Sequence, residues 1–213
     1  YLAETRQFDG TAVLIFQPGE EGYAGARAMM EDGLFDRFPC EQVYAQHNSP
    51  DTPLGVIGVT PGPMQAAADT IRIHITGKGG HGARPHQAVD PVLVAAHIIT
   101  AAQSIVARNI DPQHMAIITV GAFNAGVANN VIPQTATLRL SVRSLDREVR
   151  SLLEQRICEL VQAQAKSYGV TAEIDYQRGY PVLVNHWAET EFARAVAEEL
   201  VGKDRVTRNP RAL

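Results

Sequence analysis

The chain has 213 residues, of which 45% are hydrophobic and 20% are charged, and its formal net charge is −4 at pH 7. This composition is typical of a globular protein that buries a substantial core in one large or two small domains. The net negative charge does not favour nucleic-acid binding, because domains that bind nucleic acid carry a basic patch. No apolar run approaches the roughly 20 residues that span a bilayer. Cys40 and Cys158 form neither a disulfide framework nor a CxxC site, so we expect a reduced, cytoplasmic setting.

The first section of the chain alternates predicted strands and helices, which is typical of a largely parallel sheet covered by helices. The apolar run 11–16 predicts a buried strand. Residues 23–32 predict a helix, rich in alanine and methionine, with Gly33 as its stop. Residues 42–46 predict a second strand.

Two adjacent carboxylates, Glu20 and Glu21, follow the first predicted strand, and His47 follows the second. Ligands of α/β sheets usually bind beyond the carboxyl ends of the strands, so we expect these side chains at one sheet edge. There, one carboxylate can ligate a metal ion while its neighbour takes a proton from an activated water. The structural alternative is a Glu pair at a solvated helix start, favoured by the helix dipole, with the histidine as an ordinary polar residue.

The section from 68 to 180 has a different pattern, in which strand-like alternation with a period of two surrounds two long helices. The predicted elements are a strand from 69, a helix over 88–107, strands near 115–122 and 134–143, a helix from Asp146 to Tyr168, and a strand over 171–177. This β-α-β-β-α-β order predicts a ferredoxin-like sandwich with its helices on one sheet face.

The section 68–180 is therefore predicted to be a domain inserted between two parts of another, residues 1–67 and residues 181–213. Hinge-like segments stand at its borders, Pro61-Gly62-Pro63 and Gly179-Tyr180-Pro181. Residues 188–201 predict a helix that rejoins the first domain.

Five motifs follow one another in order, and together they are far more specific than any one alone. They are Phe16-Gln17-Pro18-Gly19-Glu20-Glu21-Gly22, Gln46-His47-Asn48-Ser49-Pro50, Gly77-Lys78-Gly79-Gly80-His81-Gly82-Ala83-Arg84-Pro85-His86, Asp90-Pro91 and Asn129-Asn130-Val131-Ile132-Pro133. With these motifs the sequence resembles the M20 metallopeptidases, in the amidohydrolase branch of hippurate hydrolases, N-acyl-amino-acid amidohydrolases and auxin-conjugate hydrolases. The resemblance implies a parallel-sheet catalytic domain, here partial, and an inserted lid that also forms a homodimer interface.

The resemblance also implies roles for the acidic pair and the first motif histidine. Glu20 matches the general base, and Glu21 and His47 match metal ligands. The cofactor implied is a divalent metal, with two ions per site in the complete protein: zinc, manganese, nickel or cobalt.

Four further residues match family positions. His81 matches a histidine that reaches the partner subunit's active site and donates a hydrogen bond to the developing oxyanion. Asn130 and Arg143 match residues that contact substrate, Arg143 by a fork to a carboxylate. The structural alternatives are a flexible surface turn for the glycine-rich loop and a solvated arginine on a strand. His86 also matches, but a loop-stabilising role is an equal alternative.

These matches predict a metal-dependent amidohydrolase that cleaves the amide of a small N-acyl or N-aroyl amino acid, with no nucleic-acid or membrane partner. The alternatives are a dipeptidase or N-deacetylase of the same mechanism, and a non-catalytic dimerisation or ligand-binding module. The family's Asp-rich strand end, its His-Ala-Cys-Gly-His-Asp segment and its distal histidine do not occur here, so we expect a fragment. Two ligands fall short of the roughly three of a catalytic zinc site, and we expect this chain alone to be inactive.

Overall fold

A computed structural model describes residues 2–20 and 22–208 of the chain, which divides into two compact units, Tyr1–Asp51 and Thr52–Leu213. The helices of the first unit are short: α1 (Leu2–Thr5), α2 (Gly25–Glu31) and α3 (Leu34–Arg37). The helix predicted over 23–32 is thus confirmed as α2. Gly33 follows it with a positive φ of 82°, the left-handed conformation that ends many helices.

The two strands predicted in the first unit are not formed. Residues 11–16 and 42–46 lie in irregular backbone, and no described residue pairs with either run. A strand is held by hydrogen bonds to a neighbouring strand, so an apolar run without such a neighbour does not become one. Leu14 is 71% and Phe16 is 85% exposed, and the prediction of a buried strand at one edge of a parallel sheet is therefore wrong for this unit.

The second unit is built on a four-stranded antiparallel sheet. Its strands and helices are β1 (Ile57–Gly58), β2 (Gly62–Gln65), β3 (Ala67–Thr76), β4 (Gly80–His81), α4 (Pro91–Asn109), β5 (Ala116–Ala125), β6 (Val131–Ile132), β7 (Thr135–Ser144), α5 (Arg147–Tyr168), β8 (Thr171–Arg178), β9 (Leu183–Asn185), α6 (Trp187–Val201) and β10 (Val206–Thr207). Short 3-10 helices cover Pro85–Gln87 and Lys203–Arg205. The long strands pair in the order β5-β7-β3-β8. Each helix and strand predicted between 68 and 180 is present, and so is the helix predicted at 188–201.

Alternation along β3 explains which face of the sheet is covered. Ile71, Ile73 and Ile75 are fully buried, while Arg72 and His74 between them are not. Helices α4 and α5 pack on the buried face and supply the rest of the core. This arrangement leaves the opposite face of the sheet open and polar.

The ends of α5 follow local sequence signals. Asp146 is the N-cap, and its carboxylate accepts hydrogen bonds from the backbone N–H groups of Glu148 and Val149 at 2.8 and 2.9 Å. Gly169 ends the helix with a φ of 73°, as an αL cap requires. Both ends are thus encoded by single residues.

Helix α4 is long and apolar enough, by length and composition alone, to cross a membrane, which the sequence analysis did not anticipate. Its apolar stripe, with Val94, Ile98 and Ile105 almost wholly inaccessible, belongs to the core over the sheet. Packing on the sheet therefore accounts for the part of the hydrophobicity of α4 that lies on this stripe.

The two segments that join this sheet to the flanking chain pair with each other. Strand β2 runs antiparallel to β9, with Gly62 opposite Asn185, and β1 pairs in parallel with β10. The predicted hinge Pro61-Gly62-Pro63 is thus partly in paired backbone. The division at 67/68 and 180/181 stays a prediction.

A buried polar cluster lies where these connections meet the sheet. Asp69 is 2% exposed and Arg150 is 8% exposed. The Arg150 guanidinium donates to the Asp69 carboxylate, Nε to Oδ2 at 3.1 Å and Nη2 to Oδ1 at 2.5 Å. The Tyr176 hydroxyl donates to Oδ2 at 3.0 Å, and the Gly179 N–H donates to Oδ1 at 3.1 Å. We call Asp69, Arg150, Tyr176 and Gly179 the Asp69 cluster.

Tyr176 gives this cluster a pH dependence. Burial raises the pKa of the Tyr176 hydroxyl above its usual value, and the negative charge of Asp69 adds to the effect. The unfolded chain ionises this group near pH 10, whereas the folded chain keeps it protonated. The protonated Tyr176 hydroxyl therefore contributes fully to the free energy of unfolding below about pH 10. This contribution is lost as the pH rises toward the pKa of the folded state.

We expect the stability difference between the native chain and Tyr176→Phe to shrink at alkaline pH. Allowing for the partial exposure of the ring, the difference should narrow by about 0.5 to 1 kcal/mol between about pH 8 and about pH 11. Denaturant unfolding of both chains measures it, and all other titrations cancel between them. A difference that stays constant or widens would contradict this expectation.

Candidate functional site

Glu20 lies at the exposed tip of a tight turn in the first unit. Gly19 has a φ of 56°, and the Gly22 N–H donates to the Glu20 carbonyl at 3.0 Å. Buried Gly25 closes the turn, because a Cβ there would lie 1.6 Å from the Pro18 carbonyl oxygen. The backbone conformation thus depends on glycine on either side of the predicted general base.

Glu21, predicted as a metal ligand, lies outside the described residues. Its role as a ligand stays a prediction.

His47, the other predicted ligand, is exposed, and its Nδ1 lies 2.6 Å from the carbonyl oxygen of Asn48. A carbonyl oxygen only accepts, so Nδ1 carries the proton and donates it. The lone pair then stays on Nε2. Metal-ligating histidines show this arrangement, in which the other ring nitrogen donates to a backbone carbonyl and fixes the tautomer.

The described residues do not complete a metal site. Within 2–20 and 22–208, no three His, Cys, Asp or Glu side chains form a group that could hold a metal ion. A catalytic zinc site needs about three protein ligands and a water. His47 fits such an ion as one donor, and the expected sheet edge joining it to Glu20 is not formed.

In the second unit, the structure brings His81 and Asn130 together. His81 ends β4 and pairs with Val131 of β6. The next residue, Gly82, donates its N–H to the Asn130 carbonyl at 2.8 Å, and a Cβ at Gly82 would lie only 2.9 Å from that oxygen. The predicted oxyanion donor His81 and the predicted substrate-binding residue Asn130, 49 positions apart in sequence, are thereby held side by side.

The hydrogen bonding of His81 selects one tautomer. The Ala83 N–H donates to His81 Nδ1 at 3.1 Å, so Nδ1 has no proton in the neutral ring. The proton is then on Nε2, for which the described part of the chain provides no acceptor. The exposed imidazole therefore offers an N–H donor to a ligand.

Gln134 stabilises the glycine-rich loop that carries His81, and sequence reasoning missed it. Its side-chain amide donates to the Gly77 carbonyl at 2.7 Å and accepts from the Gly79 N–H at 3.0 Å. These bonds hold the glycine-rich loop against the start of β7. Its place directly after Pro133 in the last motif was the available signal.

Arg143 lies at the other end of the sheet. It pairs with Ala68 of β3 near the end of β7, whereas Thr135 starts β7 on the side of His81 and Asn130. Arg143 lies eight positions beyond Thr135 along the strand, which is about 27 Å. It is half-buried on the open face, and no described carboxylate pairs with it. A single chain thus does not bring Arg143 to the other two.

His86 lies in the exposed 3-10 helix Pro85–Gln87. The structure gives it no contact that decides between a substrate role and a loop-stabilising role.

Comparison with known proteins gives matches along the chain. The model of the peptidase family M20/M25/M40 matches residues 1–212. The chain is 42% identical over 213 residues to a hippurate hydrolase of Campylobacter jejuni, covering 100% of this chain and 55% of that protein. It is 42% identical over 187 residues to an N-acetyldiaminopimelate deacetylase of Enterococcus faecalis (87% of this chain, 49% of that protein). It is 39% identical over 190 residues to an N-acetyl-L-cysteine deacetylase of Bacillus subtilis, covering 89% of this chain and 45% of that protein.

Solved structures agree with these matches. A dinuclear metal binding peptidase of the M20 family from Bacillus subtilis superimposes with a TM-score of 0.73 at 28% identity, over 92% of this chain and 48% of that one. An aminobenzoyl-glutamate utilization protein from Klebsiella pneumoniae shares the fold, with a TM-score of 0.68 at 24% identity over 92% and 49%. The chain spans about half the length of the curated relatives it matches. The chain belongs to the peptidase family M20/M25/M40.

Proposed function

We propose that the protein is a metal-dependent amidohydrolase that cleaves the amide bond of an N-acyl or N-aroyl amino acid. The observation that carries this proposal is the 42% identity to a hippurate hydrolase along all 213 residues. The paired donors His81 and Asn130 support it, because amide hydrolysis develops negative charge on the carbonyl oxygen. We also propose a cytoplasmic location.

We propose the domain plan predicted from the sequence. Residues 1–67 and 181–213 belong to the catalytic domain, and residues 68–180 form a ferredoxin-like lid that makes the homodimer interface. The strand order β5-β7-β3-β8 and the packing of α4 and α5 on one sheet face support the lid assignment.

Glu20 is the proposed general base. Its carboxylate takes a proton from the attacking water and then gives one to the leaving amine, and its exposed turn leaves it free for both steps. Glu21 and His47 are the proposed ligands of this chain, for zinc, manganese, nickel or cobalt, with two ions per site in the complete protein. A bound divalent ion supplies Lewis-acid polarisation of the amide carbonyl and a more acidic water.

His81 and Asn130 are the proposed donors to the oxyanion. The backbone bond that keeps Nδ1 unprotonated supports this role, because it leaves Nε2–H as the donor. Following the family, His81 serves the active site of the partner subunit.

Arg143 is the proposed partner of the substrate carboxylate. About 27 Å of strand separates it from the His81 end, which exceeds the size of an N-acyl amino acid. One chain cannot apply His81 and Arg143 to the same substrate molecule. This separation supports a homodimer in which the two residues at one site come from different subunits.

The deacetylases among the relatives favour a second candidate, an N-deacetylase of the same mechanism. Rates for N-benzoylglycine, N-acetylcysteine, N-acetyldiaminopimelate and a set of dipeptides, measured with protein expressed from the complete gene, distinguish the two from each other and from a dipeptidase. We expect the largest kcat/KM for N-benzoylglycine. Hydrolysis of the acetyl compounds alone would establish the deacetylase, and turnover of dipeptides alone would establish a dipeptidase. A folded, metal-loaded protein that hydrolyses none of them would favour the binding-module alternative.

A further inference from the structure

We infer that the Asp69 cluster fixes the direction in which both connecting segments leave the four-stranded sheet, and that this positioning, rather than net stability, is its role. The inference does not depend on the proposed function. It concerns the second unit alone.

The first support is where the cluster lies. Asp69 is the third residue of β3, which follows β2 after one residue. Gly179 directly follows β8 and leads to β9. Since β2 and β9 pair with each other, the cluster lies at the one place where the chain both enters and leaves the sheet.

The second support is how tightly Gly179 is held. Its N–H donates to Asp69, and its carbonyl accepts from Arg150 Nη2 at 3.0 Å. A Cβ on Gly179 would lie 2.2 Å from the carbonyl oxygen of Ala68. The exit residue is therefore fixed at both of its polar backbone groups and packed directly on the entry strand.

The third support is energetic. Burying two charges carries a large desolvation cost, so a buried ion pair is often no more stable than apolar side chains of similar volume. Hydrogen bonding to Asp69 raises the pKa of Arg150, so the guanidinium stays charged. The other ion pairs among the described residues, such as Arg178 with Glu154, lie at the surface. A directional, fully hydrogen-bonded cluster supplies what apolar packing lacks, a single allowed geometry.

The consequence concerns residues carried by the sheet. Arg143 pairs with Ala68, one residue before Asp69. The strand pair β4–β6, which carries His81, lies at the other end of the sheet. The angle between the β2–β9 strand pair and the sheet therefore sets the positions of Arg143 and His81 relative to β2 and β9. Weakening the cluster should leave the sheet intact but allow the angle between the β2–β9 strand pair and the sheet to vary.

An apolar replacement of the cluster separates positioning from stability. In the triple variant Asp69→Leu, Arg150→Met, Tyr176→Phe, the charges are exchanged for apolar groups of similar size. Hydrogen exchange read by mass spectrometry compares peptides covering 60–66 and 180–186 with those covering β7. We expect exchange in the ribbon peptides to rise about tenfold relative to β7, since hydrogen bonds to charged groups contribute on that scale. An unchanged ratio, with the variant folded, would overturn the inference.

Two further variants complete the test, one as a control for stability and one as a milder change to the cluster. Val161→Ala truncates a fully buried side chain of α5 that lies eleven residues, about 16 Å of helix, from Arg150, and it should lower Tm without raising the ribbon-to-β7 ratio. Should the triple variant fail to fold, Tyr176→Phe removes a single hydrogen bond and leaves the ion pair. It should raise the same ratio by a smaller factor, and exchange that rises equally in β7 would contradict a positioning role.

Discussion

Replacing Glu20 by glutamine should lower kcat for the best N-acyl amino acid by about 10⁴-fold, the upper range for loss of a general acid–base group. Glutamine keeps the size of the side chain but neither accepts a proton at neutral pH nor returns one to the leaving amine. KM should change little, because the step lost is proton transfer. Steady-state kinetics of metal-loaded protein expressed from the complete gene measure both quantities.

Glu31→Gln is the matched control for this substitution. Glu31 is an exposed glutamate at the end of α2 in the same unit, and its replacement should leave kcat unchanged. Equal metal content in both variants shows that only the base has been removed. A Glu20→Gln protein that keeps kcat within about tenfold of the native value would exclude Glu20 as the base.

The second large effect concerns His81. His81→Ala should lower kcat by about 10²- to 10³-fold, the range observed for the loss of one oxyanion donor. Alanine removes the Nε2–H donor while the backbone bond from Gly82 to Asn130 stays. His114→Ala, at an exposed histidine of the same unit, is the control and should leave kcat unchanged. A His81→Ala protein with native kcat would assign the loop a structural role.

Mixing the two inactive proteins tests whether His81 acts on the partner's site. A heterodimer of Glu20→Gln and His81→Ala chains has one site with both native residues if His81 serves in trans. After random exchange of subunits in equal amounts, activity should return to about a quarter of the native value. With His81 serving its own chain, no site is complete, and activity should stay at the level of the separate variants.

The elements of the second unit could be predicted because their signals are local. The alternation of Ile71, Ile73 and Ile75 marks the buried face of β3, and Asp146 and Gly169 mark the two ends of α5. That residues 11–16 form no strand could not be predicted from their apolar run. A strand depends on a partner elsewhere in the fold, and none of the described residues pairs with this segment.

The site was predictable in its residue types but not in its arrangement. Sequence matches gave His81 and Asn130, but the register that joins their backbones is tertiary information. Asp69 and Arg150 did carry a signal. Asp69 has the phase of the buried isoleucines of β3, and Arg150 precedes Leu153 by three residues on the buried stripe of α5. Two opposite charges at core positions require each other as partners.

The most direct measurement is hydrolysis of N-benzoylglycine by protein expressed from the complete gene, before chelation, after it, and after return of zinc, manganese, nickel or cobalt. We expect activity to disappear on chelation and to return with at least one of these ions, and only when Glu20 is present. Hydrolysis that continues at the native rate after the metal has been removed would contradict a metal-dependent amidohydrolase.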